Sequence, residues 1–175
     1  YSQIGYALGT GSVNADLAWV LIRKGNLKEA HAYLEKSRII AEKYGDFELK
    51  GLVLQALGDV KLEEQQYDVA RQHYVEAYEL ARSMKNQWSE GELLGNLGVF
   101  CSRLGRLRQS LPYYQRALDV HRRAGNRNGA ALWLDNIGLT YTNLKEVDLA
   151  EEAFNEASRI FKENQDNRRY GRTLA

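Results

Sequence analysis

The fold is decided by a stretch near the middle of the chain, residues 94 to 120, which reads LGNLGVFCSRLGRLRQSLPYYQRALDV. In its first half Leu97 and Leu104 are seven residues apart, with further apolar side chains between them, as on one face of an α-helix. The second half repeats this spacing with Leu107, Leu111, Tyr114 and Leu118. Gly105 separates the halves, and glycine is common just past a helix C-terminus. The stretch therefore predicts two amphipathic helices joined by a short turn.

The pattern returns every 40 residues along the chain. One register position holds a large apolar residue in each repeat: Leu17, Leu57, Leu97 and Ile137. The next position holds a small one: Ala18, Gly58, Gly98 and Gly138. A fixed period of this length predicts a solenoid, in which each helix pair buries its apolar face by stacking on its neighbours.

The small residues predict a close approach between the two helices of each repeat, because a longer side chain would push the helix axes apart. We expect the three glycines of this position to face small residues early in the second helix, namely Ala70, Ser110 and Ala150. Large side chains at Tyr74, Tyr114 and Phe154 are then expected to fill the space between successive repeats.

This pattern resembles the tetratricopeptide repeat. The family's Leu-Gly pair, its Ala early in the second helix, its aromatic residue four positions later and its Ala three beyond that are matched by Leu97, Gly98, Ser110, Tyr114 and Ala117. The match covers residues 11 to 175, although the period is 40 rather than about 34 and Arg82 and Arg122 replace the usual closing Pro. Such long repeats are similar to those of LGN/Pins-type adaptors, kinesin light chains and the sensor arms of bacterial signal-transduction (STAND) ATPases. The resemblance implies protein binding and not catalysis.

We therefore expect an all-α solenoid, a right-handed superhelix of antiparallel helix pairs. The predicted organisation is an N-terminal remnant or the end of a preceding helix at 1–10, repeats at 11–50, 51–90, 91–130 and 131–170, and the start of a fifth repeat at 171–175. Because that last segment begins a helix and stops, we interpret the chain as a fragment of a longer protein. We expect its truncated ends to self-associate, since uncapped terminal repeats expose apolar surface, here parts of Phe154 and Phe161.

Composition narrows the class of partner. A net charge of +1 argues against a direct nucleic-acid or membrane surface, which would need a basic excess. A single Cys excludes an internal disulfide and favours a reducing compartment. The sequence contains no signal peptide and no apolar run of roughly 18 residues, so we expect a soluble, cytoplasmic protein.

No group of residues predicts catalysis, a metal site or a cofactor. The histidines His31, His73 and His121 lie on second helices of different repeats, without a further ligand at metal spacing, and we expect them on the solvated surface. Cys101 follows Leu97 by one helical turn and is expected to be a small buried apolar residue.

Turn residues recur in phase as well. Short polar residues end each repeat, at Asp46, Asn86, Asn126 and Asp166, and are expected to cap the next helix or bond within the turn, with a ligand role as the alternative. Gly25 and Gly105 supply the left-handed conformation inside repeats 1 and 3, whereas Gln65 and Lys145 stand there in repeats 2 and 4, which predicts less favourable turns. Pro112 is expected to distort its helix only mildly.

The resemblance implies that the first helices line a concave groove in which family members bind peptides. Candidate peptide-binding residues at the groove positions are Trp19, Arg23, Asp59, Asn96, Arg103, Asp135, Asn136 and Asn143. The remaining groove positions hold Ser12, Ala15, Asp16 and Ile22 in repeat 1, Leu52, Gln55, Ala56, Leu62 and Glu63 in repeat 2, Glu92, Gly95, Val99 and Ser102 in repeat 3, and Leu132, Leu139 and Thr142 in repeat 4. Asn96 and Asn136 match the Asn with which peptide-binding members hold a ligand's main chain, because an amide both donates and accepts. A clamp is therefore expected to centre on repeats 3 and 4, and the alternative is that these amides bond within their own repeat.

The expected partner is a protein or peptide, bound as an extended or helical segment. Repeat 3 is rich in arginine, at Arg103, Arg106, Arg108, Arg116, Arg122, Arg123 and Arg127, and the first helix and turn of repeat 2 are acidic, at Asp59, Glu63, Glu64 and Asp68. This change of sign would orient a charged partner, and solvated helix faces are the alternative. Beside the scaffold interpretation stands a second one, in which the chain is the sensor arm of a larger signal-transduction ATPase or transcription regulator.

Overall fold

A computed structural model describes residues 3–163 of the chain. Within that range the chain forms α-helices joined by short turns and no strand: α1 Gln3–Arg23, α2 Leu27–Tyr44, α3 Phe47–Glu63, α4 Tyr67–Ser83, α5 Gln87–Arg103, α6 Leu107–Arg123, α7 Arg127–Asn143 and α8 Val147–Glu163. We call the odd-numbered helices A helices and the even-numbered ones B helices.

The chain divides into two compact units, Tyr1–Lys85 (unit 1) and Asn86–Ala175 (unit 2). In unit 1, α1 packs against α2 and α3, and α3 packs against α2 and α4. In unit 2, α5 packs against α6, α6 against α7, and α7 against α8. Each unit is thus built from tandem helix pairs that pack on their sequence neighbours, and the chain is an all-α solenoid of the expected repeat type.

Helix α1 begins earlier than the sequence predicted. The expected remnant at residues 1–10 and a separate helix from Gly11 are replaced, in the described range, by one unbroken helix from Gln3 to Arg23. The later A helices begin after a polar cap, whereas Tyr6 stands at the corresponding position of the first repeat, so no cap residue ends or restarts the helix there. Residues 171–175 and Asp166 lie outside the described residues.

The predicted caps are present. The side-chain oxygens of Asp46, Asn86 and Asn126 accept hydrogen bonds from the backbone N–H groups of Leu49, Ser89 and Gly129, at 2.8, 3.1 and 3.0 Å. Each cap satisfies a donor that has no partner inside its helix, which fixes where α3, α5 and α7 begin. Pro112 lies inside α6, and the helix continues through it to Arg123.

Three glycines of the A helices, Gly58, Gly98 and Gly138, lie closest to aromatic rings and not to the small residues that they were expected to face, Ala70, Ser110 and Ala150. A Cβ atom built on Gly58, Gly98 or Gly138 would lie 2.6 to 2.7 Å from the ring of the aromatic residue at one equivalent position of the following B helix. These aromatic residues are Tyr74, Tyr114 and Phe154, respectively. These rings therefore fill the crossing within a repeat and not only the space between repeats. The missing Cβ makes room for a ring, which a small residue on the other helix would not require.

The C-terminal helix buries one aromatic side chain that was expected to be exposed. Phe161 is 3% exposed, and Phe154 is half-buried against Gly138. The expectation of apolar exposure at Phe161 is wrong, and self-association of the chain stays a prediction.

The turns inside the repeats share one backbone conformation. Gly25 and Gly105 have φ of 77° and 72°, and the non-glycine residues Gln65 and Lys145 adopt φ of 60° and 63° at the equivalent positions. A side chain in this left-handed region costs about 1–2 kcal/mol, because its Cβ crowds the backbone. The positive φ of Gln65 and Lys145 therefore explains why these two turns are less favourable than those that contain glycine.

We expect Lys145→Gly to stabilise unit 2 by about 0.5–1 kcal/mol, because glycine relieves the left-handed strain at the price of a more flexible unfolded chain. The reverse change, Gly105→Lys at φ 72°, should destabilise it. Urea unfolding of both variants measures the change in the free energy of unfolding. A change of the same sign in Lys145→Gly and Gly105→Lys would contradict the interpretation.

Candidate peptide-binding surfaces

A cleft of about 250 Å³ lies between α1 and α3 in unit 1. Its lining residues are Ala15, Asp16, Trp19, Leu52, Gln55, Ala56 and Asp59. All of them stand at the positions that the sequence assigned to the ligand-facing side of the A helices. The family resemblance, applied through the repeat register, therefore grouped the residues that share this cleft, although it did not show that they form one. We call it the unit 1 cleft.

Small side chains form the floor of the unit 1 cleft, and large apolar side chains form its walls. Ala15 and Ala56 are each 7% exposed and form its floor, because their methyl groups let the two A helices approach closely. Trp19 and Leu52 are each 50% exposed and form its apolar walls. Half-exposed large apolar side chains beside a concave surface are the usual anchors for a partner's side chain.

Three of the predicted site residues, Trp19, Arg23 and Asp59, make contacts inside unit 1. The guanidinium carbon of Arg23 lies over the Trp19 ring, 4.9 Å from its centroid, which is a cation–π contact. The Tyr74 hydroxyl donates to Oδ1 of Asp59 at 2.6 Å and holds that carboxylate in place. The structure thus brings Trp19 together with both Arg23 and Asp59.

The other predicted site residues belong to unit 2. Asn96 and Arg103 lie on α5, and Asp135, Asn136 and Asn143 lie on α7. Arg103 and Asn143 are exposed, and the remaining three are half-buried. Asn136 donates from Nδ2 to the carbonyl oxygen of Leu132 at 3.0 Å, so its amide already bonds within its own helix. This contact favours the alternative interpretation for Asn136, whereas the side chain of Asn96 makes no hydrogen bond among the described residues.

Several arginines of repeat 3 pair with carboxylates of the last repeat. Arg108 reaches Glu146 at 2.6 Å, Arg122 reaches Glu156 at 2.6 Å, and Arg127 contacts Glu163. Arg122 and Glu156 line a furrow between α6 and α8 together with Ile137 and Tyr141 of α7. Arg108 lines an adjoining hollow between α6 and α7. Three of the seven arginines are thus paired with carboxylates inside unit 2, although such exposed pairs add little to stability.

Helix α5 carries a row of glycines that receive aromatic rings. Gly91, Gly95 and Gly98 recur at helical spacing, and an added Cβ at each would clash with His121, Trp133 and Tyr114 in that order. Gly95 had been assigned to the ligand-facing side, but the Trp133 ring occupies the space beside it. Trp133 also stacks on Tyr114, with ring centroids 6.0 Å apart. This row explains why α5 tolerates residues that weaken a helix.

His121 is fully buried, which contradicts its predicted place on the solvated surface. The Asn126 amide Nδ2 lies 2.7 Å from Nδ1 of His121, so Nδ1 accepts and the ring is neutral with its proton on Nε2. Nε2 lies 3.4 Å from Oε1 of Glu92. Burial lowers the pKa of His121 and raises the pKa of Glu92. The carboxylate would raise the His121 pKa, but the cost of burying an imidazolium outweighs it.

A sequence signal for this burial existed. His121 stands in register with Ala41, Ala81 and Phe161, which are 2%, 5% and 3% exposed. The position is therefore a core position in every repeat. His31 is exposed as predicted, and His73 is half-buried with a pKa that burial lowers.

We expect the buried imidazole to make folding sensitive to acid. Because the folded-state pKa of His121 is below its unfolded value of about 6.5, the unfolded chain binds the proton more tightly, and stability is lost as the pH falls below that value. The loss is at most about 1.4 kcal/mol per pH unit for one proton. The raised pKa of Glu92 acts in the opposite direction at lower pH, since the folded state then gains a proton first.

Urea unfolding between about pH 7.5 and pH 5.5 measures this loss. His121→Gln keeps an amide acceptor for Asn126 and should flatten the pH dependence, whereas His31→Gln at the exposed histidine should leave it unchanged. An equal acid response in all three proteins would show that His121 does not carry the effect.

Among residues 3–163 no group of His, Cys, Asp and Glu side chains is placed to hold a metal ion. Cys101 is buried, as predicted. No helix in the same range is long and apolar enough to span a bilayer.

Known proteins similar to this chain share its repeats. A sequence model described as tetratricopeptide repeat matches residues 4–83 and 89–163. No curated protein sequence matches the chain. The solved structures that resemble it include three that are 17–21% identical to the chain, and at that level the likeness concerns the fold.

The first of these structures is a STAND signal-transduction ATPase with a tetratricopeptide repeat sensor from Pyrococcus horikoshii, with a TM-score of 0.78 and 21% identity over 97% of this chain and 26% of that one. Aspartyl phosphate phosphatase F from Bacillus subtilis gives 0.80 and 18%, over 95% and 43%. A Rap protein in complex with competence and sporulation factor gives 0.84 and 17%, over 95% and 45%. The chain thus spans between a quarter and a half of the length of these proteins.

Proposed function

This chain belongs to the tetratricopeptide repeat family, whose members are protein-interaction scaffolds, and we propose that it binds an extended or helical peptide segment on the A-helix face of unit 1. The observation that supports this proposal most is the unit 1 cleft, because every residue that lines it stands at a ligand-facing register position. We infer that the protein acts by binding and not by catalysis, and that it works in the cytoplasm.

The size of the cleft favours a side chain over a small molecule. A volume of about 250 Å³ is below the range of roughly 300–1,000 Å³ that is typical of small-molecule sites. Trp19 and Leu52 supply apolar contact, and Gln55 supplies an amide that can pair with a peptide's main chain. Asn96, Arg103, Asp135, Asn136 and Asn143 remain proposed contacts on the A helices of unit 2.

The test uses peptides selected from a random-peptide display library with the full chain. We expect Trp19→Ala combined with Leu52→Ala to weaken binding of the selected peptides by more than about tenfold, since apolar anchors that become buried in a complex each contribute about 1 kcal/mol or more to binding. The melting temperature should change little, because both side chains are half exposed.

Two further double variants place the site. Loss of binding in Asn96→Ala with Asn136→Ala would extend the site to unit 2. Loss only in Arg106→Ala with Arg123→Ala would move it to the basic outer face, and the A-helix proposal would then be wrong.

The alternative function is that of a sensor arm within a larger signal-transduction ATPase or transcription regulator. This alternative is favoured by the Pyrococcus ATPase with a repeat sensor, since a segment of that protein has the same fold as this chain. The sequence of the complete gene distinguishes the two, because a nucleotide-binding domain in the same polypeptide supports the sensor and its absence supports the scaffold.

A further inference from the structure

The charges of the unit 1 cleft all have one sign. Among its lining residues the charged ones are Asp16 and Asp59, and none is basic. Asp16 is exposed on α1, and Asp59 is half-buried on α3 with its position fixed by the Tyr74 hydroxyl. Two carboxylates that border one small cleft repel each other, and a cation placed between them relieves that repulsion.

The neighbouring basic groups are already engaged. Arg23 lies against the Trp19 ring, and Lys61 pairs with Glu64 at 2.8 Å. Glu63 adds a further carboxylate one turn beyond Asp59 on α3. The field on this side of α1 and α3 is therefore negative, which would attract a basic segment and repel an acidic one.

The apolar walls set a second requirement. Trp19 and Leu52 are half exposed and line the same cleft as the carboxylates, and each would be covered by an aliphatic or aromatic side chain of a ligand. The exposed part of the Trp19 ring also offers a surface to a cation, in competition with Arg23, which occupies such a position in the free protein.

From these observations we propose that the unit 1 cleft selects a peptide segment in which a Lys or Arg side chain is next to a large apolar one. The cation lies between Asp16 and Asp59, and the apolar side chain packs on Trp19 and Leu52. This inference rests on the proposed function and names the chemistry of its ligand. Arg23 acts as a built-in competitor, because it adds a like charge beside the bound cation.

The experiment starts from the display-selected peptides whose binding is lost in the Trp19→Ala, Leu52→Ala double variant. Each is resynthesised with its basic residue changed to Gln or Glu, and Kd is measured against the full chain, Asp16→Asn, Arg23→Gln and the matched control Asp148→Asn on α8. We expect the change to Glu to weaken binding about tenfold, since attraction becomes repulsion. We expect Asp16→Asn to weaken binding of the basic peptide about three- to fivefold and to leave the Kd of the Gln-substituted peptide unchanged. The same change should reduce the salt dependence of binding of the basic peptide.

Arg23→Gln should strengthen binding of the basic peptide about twofold, which is the opposite of the effect of Asp16→Asn. The control Asp148→Asn should leave the Kd of every peptide unchanged. Cleft-dependent peptides without a basic residue, or tighter binding by Asp16→Asn, would overturn this inference and leave the proposed function standing. Peptides that are insensitive to the Trp19, Leu52 double variant, or no selected peptides at all, would overturn both.

Discussion

Gly98→Leu is expected to destabilise unit 2 by about 3 kcal/mol, at the upper end of the usual range for overpacked cores. A Cβ at Gly98 would lie 2.6 Å from the Tyr114 ring, and Tyr114 is 2% exposed and stacked on Trp133. The ring has no open space to move into, so the helices α5 and α6 must separate.

The matched control is Gly9→Leu in α1. Gly9 has no atom within 4 Å of an added Cβ, and a helix interior gains up to about 1 kcal/mol when glycine is replaced by a good helix former. Thermal and urea unfolding of the two variants should therefore differ in sign. A Gly98→Leu protein as stable as the parent would contradict the helix register.

Trp133→Ala is expected to cost about 3–5 kcal/mol, the usual cost of removing a buried Trp. Trp133 is 3% exposed, and its ring fills the space beside Gly95. Trp88→Ala is the matched control, because Trp88 is 58% exposed and should cost far less.

The pairing of Trp133 with Gly95 has a sharper consequence. Gly95→Ala alone should be strongly destabilising, yet the same change should be nearly neutral once Trp133 is Ala, because the clashing ring is gone. Urea unfolding of the double-mutant cycle measures this coupling. Additive effects would show that the ring does not occupy the space beside Gly95.

The helices, their caps and their turns were readable from the sequence because they depend on local chemistry. Asp46 and Asn126 cap helices through their own side chains, and Lys145 takes a glycine-like φ because the 40-residue period forces a turn there. The candidate ligand-facing positions came instead from the resemblance to the tetratricopeptide repeat, and the helix phase shows only which side chains share a face.

The packing partners could not be read in the same way. Which ring meets Gly95 depends on how α7 lies against α5, and the repeat period does not contain that information. His121 was misplaced because its polarity was weighed ahead of its register, although Ala41 and Ala81 mark the same position as buried. The predicted start of the first repeat at Gly11 is wrong for α1, because no cap residue interrupts the helix there.

The clamp predicted on repeats 3 and 4 rested on two amides. Asn136 bonds to the carbonyl oxygen of Leu132, and the cleft that the structure places on predicted positions lies in unit 1. An amide in a sequence does not reveal whether its own helix will satisfy it, because Asn side chains readily bond to nearby backbone groups.

The central claim is that ligand binding occurs on the A-helix face of unit 1, and amide hydrogen exchange with and without a display-selected peptide tests it most directly. We predict slowed exchange in α1 and α3 around Trp19 and Leu52, since a bound segment reduces local opening there. Protection confined to α6 and α8, around the furrow floored by Tyr141, would contradict the claim and place the ligand on the B helices of unit 2.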